Sequence, residues 1–205
     1  MPMTWQEASQ LPNEKLLEEY FKNKGTKVPI ERNWRSRIKG TYSPEVDIAV
    51  GPFAIRSGNR LIKEFDDLVQ TSEDLIDSYV HHSEENRSRF RWLRLGRLPK
   101  NHNSFLSNNA SNANARCFMA IEIESKYTSL KHKLGSAINA SALGRVGILV
   151  ALDERVLGAF FRLSAYLDFL DEVKKPSFNT NNTIIVTKEQ FNDTLKKSKS
   201  QHSID

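Results

Sequence analysis

The sequence predicts an α/β fold, because strand-like and helix-like segments alternate through its second half. The apolar segments 117–124 and 146–152 are typical of buried strands, and each precedes a segment with helical character. A strand, a helix and a second strand in this order form a crossover unit on a sheet. With 205 residues, the chain is long enough for one domain with a substantial hydrophobic core.

The N-terminal region predicts one helix and one strand. Residues 14–24 have the apolar spacing of an amphipathic helix, which Asn13 caps and Gly25 ends. Residues 26–42 are basic and mixed in pattern, so no regular element is predicted there. The segment Glu45–Val50 (EVDIAV) is typical of a short strand.

The rest of the chain predicts helices around buried strands. Residues 59–86 have helical character in two pieces, and the asparagine-rich segment 101–114 predicts a surface loop. The small residues of the helix expected at 128–143 allow it to approach a sheet closely. The remaining predicted elements are a helix at 153–173, a strand at 183–187, a helix at 188–197 and a disordered tail at 198–205.

Composition favours a soluble, cytoplasmic protein. Hydrophobic residues make up 39% and charged residues 27% of the chain, an ordinary globular balance. The first fifteen residues contain no apolar run, so we expect no signal peptide. The longest apolar stretch, at 146–152, is too short to span a bilayer, so we expect no membrane partner. The single cysteine, Cys117, excludes an internal disulfide and is compatible with a reducing compartment.

Basic residues are concentrated in two segments of this chain, whose net charge is +5. Segments 32–39 and 87–100 both combine arginines with tryptophan, a mixture suited to phosphates and bases. A solvated face whose aromatic side chains belong to the core is an equally good interpretation of either segment. The candidate phosphate contacts are Arg35, Arg37, Arg89, Arg91 and Arg94, together with Lys131 and Lys133 of the helix expected at 128–143.

Three acidic residues in strand-like segments form the strongest candidate site. Alternation along a strand puts Glu122 and Glu124 on one face, with Lys126 if the strand continues that far. Asp47 lies within an apolar strand, where an unpaired carboxylate is costly to bury. Together these carboxylates are suited to binding one or two hard cations.

Each of these acids also has a plain structural interpretation. Asp47 can instead form a buried ion pair with Arg56 or Arg145. The two glutamates can be a solvated strand end.

The pattern resembles the PD-(D/E)XK superfamily of nucleases, in which an aspartate on one core strand precedes an acid–apolar–lysine motif on the next. The first half reads Pro44–Asp47, with the proline displaced from its usual place beside the aspartate. The second half reads either as Glu122–Glu124, with glutamate in place of lysine, or as Glu124–Lys126, with a polar residue in the middle. The first reading is favoured, because the apolar run Phe118–Ile121 leads directly into it.

The resemblance covers residues 14–152 and implies a restriction-endonuclease-like core, with a central mixed β-sheet flanked by helices. By this resemblance the nuclease domain comprises 1–175, with 59–114 as a helical, basic-ended insertion that contacts DNA. Residues 176–197 complete the domain with a strand and a helix. The implied reaction is hydrolysis of DNA phosphodiester bonds with Mg²⁺, which Mn²⁺ can replace.

The resemblance also implies a role for each site residue. Asp47 and Glu122 ligate the metal, and Glu124 is a further ligand or positions the attacking water. Lys126 offsets phosphate charge. A glutamate of the first helix, Glu18 or Glu19, joins the metal shell.

Two other functions remain open at this stage. A catalytically silent DNA-binding or assembly module is one, and the displaced lysine favours it. An unrelated α/β protein whose basic patches bind an acidic protein is the other. For a nuclease, cutting both strands implies two active sites and therefore a homodimer, and the resemblance implies a restriction or defence role in a prokaryote or its virus.

Overall fold

A five-stranded mixed β-sheet lies between two layers of helices in the computed structural model. The structure describes residues 14–36, 43–55, 61–93, 99–106, 112–173 and 180–201. Its strands are β1 (Ile30–Arg35), β2 (Glu45–Val50), β3 (Cys117–Glu124), β4 (Gly144–Ala151) and β5 (Thr183–Thr187). Its helices are α1 (Glu14–Asn23), α2 (Ile62–Thr71), α3 (Glu73–Ser88), α4 (Asn103–Leu106), α5 (Leu130–Leu143), α6 (Glu154–Glu172) and α7 (Lys188–Gln201).

The strands follow one another across the sheet in chain order, from β1 to β5. β1, β2 and β3 are antiparallel neighbours, whereas β3, β4 and β5 run parallel. α5 and α6 make the two parallel crossovers, as the alternation of segments predicts. The α/β class is therefore confirmed, and the sheet is mixed with helices on both faces.

Each face of the sheet has its own hydrophobic core. On one face, Ile48 and Ile121 pack in a cluster with buried side chains of α1, α3 and α7. On the other face, Leu149 and Ile185 pack with α5 and α6. Side chains alternate between these faces along a strand, so each strand residue belongs to one layer.

Small residues bring α5 close to the sheet, as predicted. A Cβ added to Gly147 of β4 would lie 3.0 Å from the backbone oxygen of Ala140 in α5. That distance leaves no room for a side chain, so the glycine fixes how near the helix lies to the strand.

The predicted strand bounds at 45–50, 117–124 and 183–187 are confirmed. β1 was not predicted, since five of its six residues are not buried and the strand shows no apolar alternation. It forms because it pairs with β2 and because its one buried residue, Trp34, stacks on Phe53 at 4.9 Å. α7 extends to Gln201, beyond the predicted end at 197.

The described part of the segment interpreted as an insertion contains α2, α3 and the short α4, and each contributes buried residues to the core. α3 packs against β5 and α7, and the Tyr79 hydroxyl donates a hydrogen bond to the Phe191 carbonyl at 3.1 Å. α2 contributes Phe65 and Val69 to the core on the same face of the sheet. None of the helices in the described ranges combines the length and apolar character that a membrane crossing requires.

Candidate functional site

Asp47 and Glu122 face each other at the end of the ladder between β2 and β3. The last paired residues of this ladder are Ile48 and Ile121, and continuing the register by one residue sets Asp47 opposite Glu122. Beyond these pairs, the Asp47 side chain binds the neighbouring strand: its Oδ2 accepts a hydrogen bond from the Ile123 N–H at 2.7 Å. The two predicted acids are therefore adjacent in space.

The Glu122 carboxyl group is buried and poorly partnered. Its side chain is 6% exposed, and its Oε1 atom accepts no hydrogen bond within the described part of the chain. The group interacts with Asn139 of α5 and with the Asp47 carboxyl. Burial first, and then the neighbouring Asp47 charge, raise the pKa of Glu122 to about 9.

Burial is also the main cause that raises the pKa of Asp47, and the charge on Glu124 adds to it. The Ile123 N–H opposes this shift by stabilising the ionised form. Two carboxyl groups this close cannot both ionise cheaply, so the ionisation of one opposes that of the other. A cation placed between them would remove that constraint.

Glu124, in contrast, accepts a hydrogen bond from a neighbouring hydroxyl group on each of its carboxyl oxygens. Its Oε1 accepts a hydrogen bond from the Ser136 hydroxyl at 2.6 Å, and its Oε2 accepts one from Thr128. The His132 Nε2 lies 3.4 Å from the same Oε1. These contacts explain how a carboxyl group that is only 2% exposed is accommodated.

Lys126 lies beyond the strand rather than on its acidic face. β3 ends at Glu124, and Lys126 is an exposed turn residue whose ammonium lies 5.2 Å from the centre of the Tyr127 ring. The cation nearer the acids is Lys133 of α5, which donates a hydrogen bond to the Thr128 hydroxyl at 2.7 Å. That same hydroxyl donates to Glu124, so one hydroxyl links the lysine to the acid.

The donor set suits a cation that uses few protein ligands. Within the described residues, no three His, Cys, Asp or Glu side chains are arranged to hold a metal ion. Mg²⁺ needs fewer, because it keeps several waters and binds through one or two carboxylates and substrate phosphates. Asp47 and Glu122 provide two carboxylates, and the Oε1 of Glu122, which has no partner among the described residues, can act as a ligand. The oxygens of Glu124 are already engaged by Thr128 and Ser136.

Glu18 of α1 lies elsewhere on the molecule. It is exposed and lines a cavity of about 430 Å³ together with Phe21, Lys22 and Lys27. The buried side chains of α1 pack on the face of the sheet that carries Ile48. Asp47, the next residue along the strand, points to the opposite face, so Glu18 is not beside the acid pair.

Several of the basic residues predicted to contact phosphate are already paired. Arg35 forms an ion pair with Glu45, and Arg89 contacts Glu154 with its Nη1 3.0 Å from Oε1. Of the other predicted positions, Arg91 and Lys131 are exposed and Lys133 is buried. Arg37 and Arg94 lie outside the described residues.

The aromatic side chains of the basic segments have different environments. Trp34 is buried against Phe53, and Phe90 stacks on Phe161 at 5.2 Å, so both belong to the packing. Trp92 is 69% exposed and remains available to a partner.

Sequence reasoning missed the polar face of α5. His132, Ser136 and Asn139 recur at helical spacing on α5, and together with Thr128, which precedes the helix, they contact the acids of β2 and β3. The spacing of these four residues was the available signal. The alternative partner Arg145 is engaged elsewhere, in an ion pair with Asp66, and Arg56 lies outside the described residues.

No protein-family model, curated protein or solved structure matches the chain.

Proposed function

We propose that this chain is a metal-dependent deoxyribonuclease with a restriction-endonuclease-like core, and that Asp47 and Glu122 bind its Mg²⁺ or Mn²⁺. The observation that carries the proposal is the buried carboxyl pair between β2 and β3, in which Glu122 Oε1 has no partner among the described residues. A bound cation and its waters would supply the missing interactions.

The order of the elements supports the same proposal. A helix, a strand with an aspartate, a strand with two acids, a helix and a further strand are the arrangement expected from the resemblance to PD-(D/E)XK nucleases. In the structure α1, β2, β3, α5 and β4 follow in that order. The acids lie on the α5 side of the sheet, where the polar face of that helix surrounds them.

The protein groups have distinct tasks in the proposed reaction. Asp47 and Glu122 would hold the cation, which would supply activation of a water molecule and stabilisation of the transition-state charge. Glu124, fixed by Thr128 and Ser136, orients the attacking water through its remaining acceptor capacity. The ammonium group of Lys133 offsets phosphate charge near the acids.

Plasmid cleavage with and without Mg²⁺ or Mn²⁺ tests the proposal. We expect cutting that requires the metal and disappears in Glu122→Ala and Asp47→Ala, while DNA affinity is largely retained. Glu84→Gln, on an exposed position of α3, is the matched control and should cut like the unmodified protein. Cutting by Glu122→Ala at the unmodified rate would remove this residue from the site. Discrete fragments would further indicate sequence specificity.

A catalytically silent DNA-binding or assembly module is the second candidate function. It is favoured by Glu124, whose oxygens are both engaged by hydroxyl groups, and by Lys126, which lies off the strand. Salt-sensitive DNA binding without metal binding or cutting, across many substrates, would identify this state. Restriction or defence and homodimer formation belong to the nuclease proposal, and detection of dimers on DNA would support the latter.

A further inference from the structure

A second, basic cavity lies beside the acidic site. Its volume is about 290 Å³, and it is bounded by the loop after β3 and by the first turns of α5 and α6. Four basic side chains line it, those of Lys126, Lys133, Arg155 and Arg162. No acidic side chain is among its lining residues, all of which are described.

The two arginines of this cavity are free to bind a ligand. Arg155 and Arg162 are both exposed and lie two turns apart on α6, where residues seven apart share one face. Neither forms an ion pair in the described ranges, in contrast to Arg89, which is held by Glu154. An arginine fork matches two oxygens of a phosphate group.

Lys133 provides a buried charge at the inner wall of the cavity. It is 4% exposed, and its ammonium donates to the Thr128 carbonyl and to the Thr128 hydroxyl. An ammonium has three donors, and the third has no acceptor among the described residues. An anion that reaches the unused donor would stabilise this buried ammonium, whose link to Glu124 is indirect, through the Thr128 hydroxyl.

The rim of the cavity carries apolar surface. Tyr127 is 76% exposed and Leu130 is 60% exposed, and the Lys126 ammonium lies over the Tyr127 ring. An exposed aromatic side chain at this place offers a stacking surface to a sugar or base next to a bound phosphate.

The cavity is close to the acids and to Phe90, which follows α3. The Thr128 hydroxyl joins Lys133 to Glu124, so the cavity and the acidic site share one hydrogen-bonded residue. On its other side, the Arg162 Nη1 and the Phe90 ring both lie within 3.5 Å of the place where Gly158 would carry a Cβ. The cavity therefore lies between the acidic site and Phe90, so one strand of nucleic acid bound in it would be near both.

We propose that this cavity is a phosphate-binding site in which Arg155, Arg162 and Lys133 bind a backbone phosphate of a nucleic-acid strand and Tyr127 packs against the adjoining nucleoside. Binding of a phosphate group follows from the cavity itself, whereas its assignment to nucleic acid rests on the proposed function. Free phosphate and a nucleotide present the same chemistry and serve as separate probes.

The test removes the two exposed arginine charges. Arg155→Gln/Arg162→Gln is compared with Lys63→Gln/Lys197→Gln, a double variant with the same charge loss at exposed positions of α2 and α7 in the opposite helix layer. Fluorescence anisotropy measures binding of a short labelled duplex without divalent metal, over a range of salt concentrations. Thermal unfolding of both variants checks that the fold is intact.

We expect the arginine variant to bind the duplex about tenfold more weakly than the control variant. The slope of the logarithm of the association constant against the logarithm of the salt concentration should also become shallower by about 0.9 for each phosphate contact that is lost. Unchanged affinity and unchanged salt dependence, relative to the control, would overturn the assignment of the site to nucleic acid.

Two further readouts separate this inference from the proposed nuclease. Suppose that neither the unmodified protein nor the control variant cuts DNA, but that adding inorganic phosphate changes nuclear magnetic resonance chemical shifts only when Arg155 and Arg162 are present. The phosphate site then stands and the nuclease proposal fails. Suppose instead that cutting depends on Glu122, but that the affinities for duplex, nucleotide and phosphate are all unchanged in the arginine variant. The nuclease proposal then stands and the phosphate site fails. Binding of inorganic phosphate alone, with no arginine-dependent DNA affinity, would overturn the assignment to nucleic acid.

Discussion

Replacing Glu122 by glutamine should stabilise the metal-free protein at neutral pH. Glutamine has the shape of glutamate but no charge. Burial and the Asp47 carboxyl raise the pKa of Glu122 from 4.5 to about 9 in the folded protein. The protonated Glu122 therefore makes its full contribution to stability below the pKa of the unfolded chain. This contribution is lost as the pH rises through the pKa of the folded protein.

The size of the effect follows from the pH range. Each pH unit above the ordinary glutamate pKa of 4.5 costs the folded state about 1.4 kcal/mol until the folded pKa is reached. At about pH 7.5 the loss amounts to about 4 kcal/mol, which is an upper limit because water entry relaxes a buried charge. The glutamine variant avoids this loss, so the two proteins should differ most at alkaline pH.

Urea unfolding in the presence of a chelator, followed by tryptophan fluorescence and circular dichroism, measures the difference. From about pH 5 to about pH 8.5, the unmodified protein should lose stability relative to Glu122→Gln, whereas Glu84→Gln should follow the unmodified protein. Millimolar Mg²⁺ should restore the free energy of unfolding of the unmodified protein and leave that of Glu122→Gln unchanged, because the metal and the proton compete for one site. A stability difference that stays constant over this pH range would refute the reasoning.

Two further substitutions probe single contacts of the site. Asp47→Ala leaves the Ile123 N–H without its acceptor and should lower the free energy of unfolding in urea by about 1–3 kcal/mol. Asp47→Asn keeps an acceptor oxygen, so equal losses in both variants would contradict the role of this bond. Thr128→Val removes the hydroxyl between Lys133 and Glu124 and should cost about 1–3 kcal/mol by the same measurement. Thr128→Ser is its control, and a valine variant as stable as the serine variant would show that the hydroxyl contributes nothing.

The central strands could be predicted because each is a short apolar run. β3 and β4 are buried on both faces, so each contains a continuous apolar run, Phe118–Ile121 in β3 and Ile148–Ala151 in β4. β1 lacks this property, since it lies at the edge of the sheet and exposes most of its side chains. Its pairing depends on β2 and on the stacking of Trp34, and neither is visible in a local pattern.

The acid pair could be predicted for a similar local reason. Asp47 and Glu122 stand out because each is a carboxylate inside an apolar strand. The different environment of Glu124 could not be predicted, because it depends on which face of α5 turns toward β3. The orientation of a helix over a sheet is set by packing along its whole length, here by the close approach of Ala140 to Gly147.

The environment of the acid pair differs from that of a structural ion pair. Asp47 supports the Ile123 N–H, which an amide oxygen would do equally well. The buried charge of Arg145 meets Asp66, but Glu122 meets a second carboxyl and leaves one oxygen unpartnered among the described residues. The chain thus carries a glutamate at a position where we expect glutamine to stabilise the metal-free protein. Groups that lower stability in this way are concentrated at functional sites, and a cation between the two carboxyls would turn the loss into binding energy.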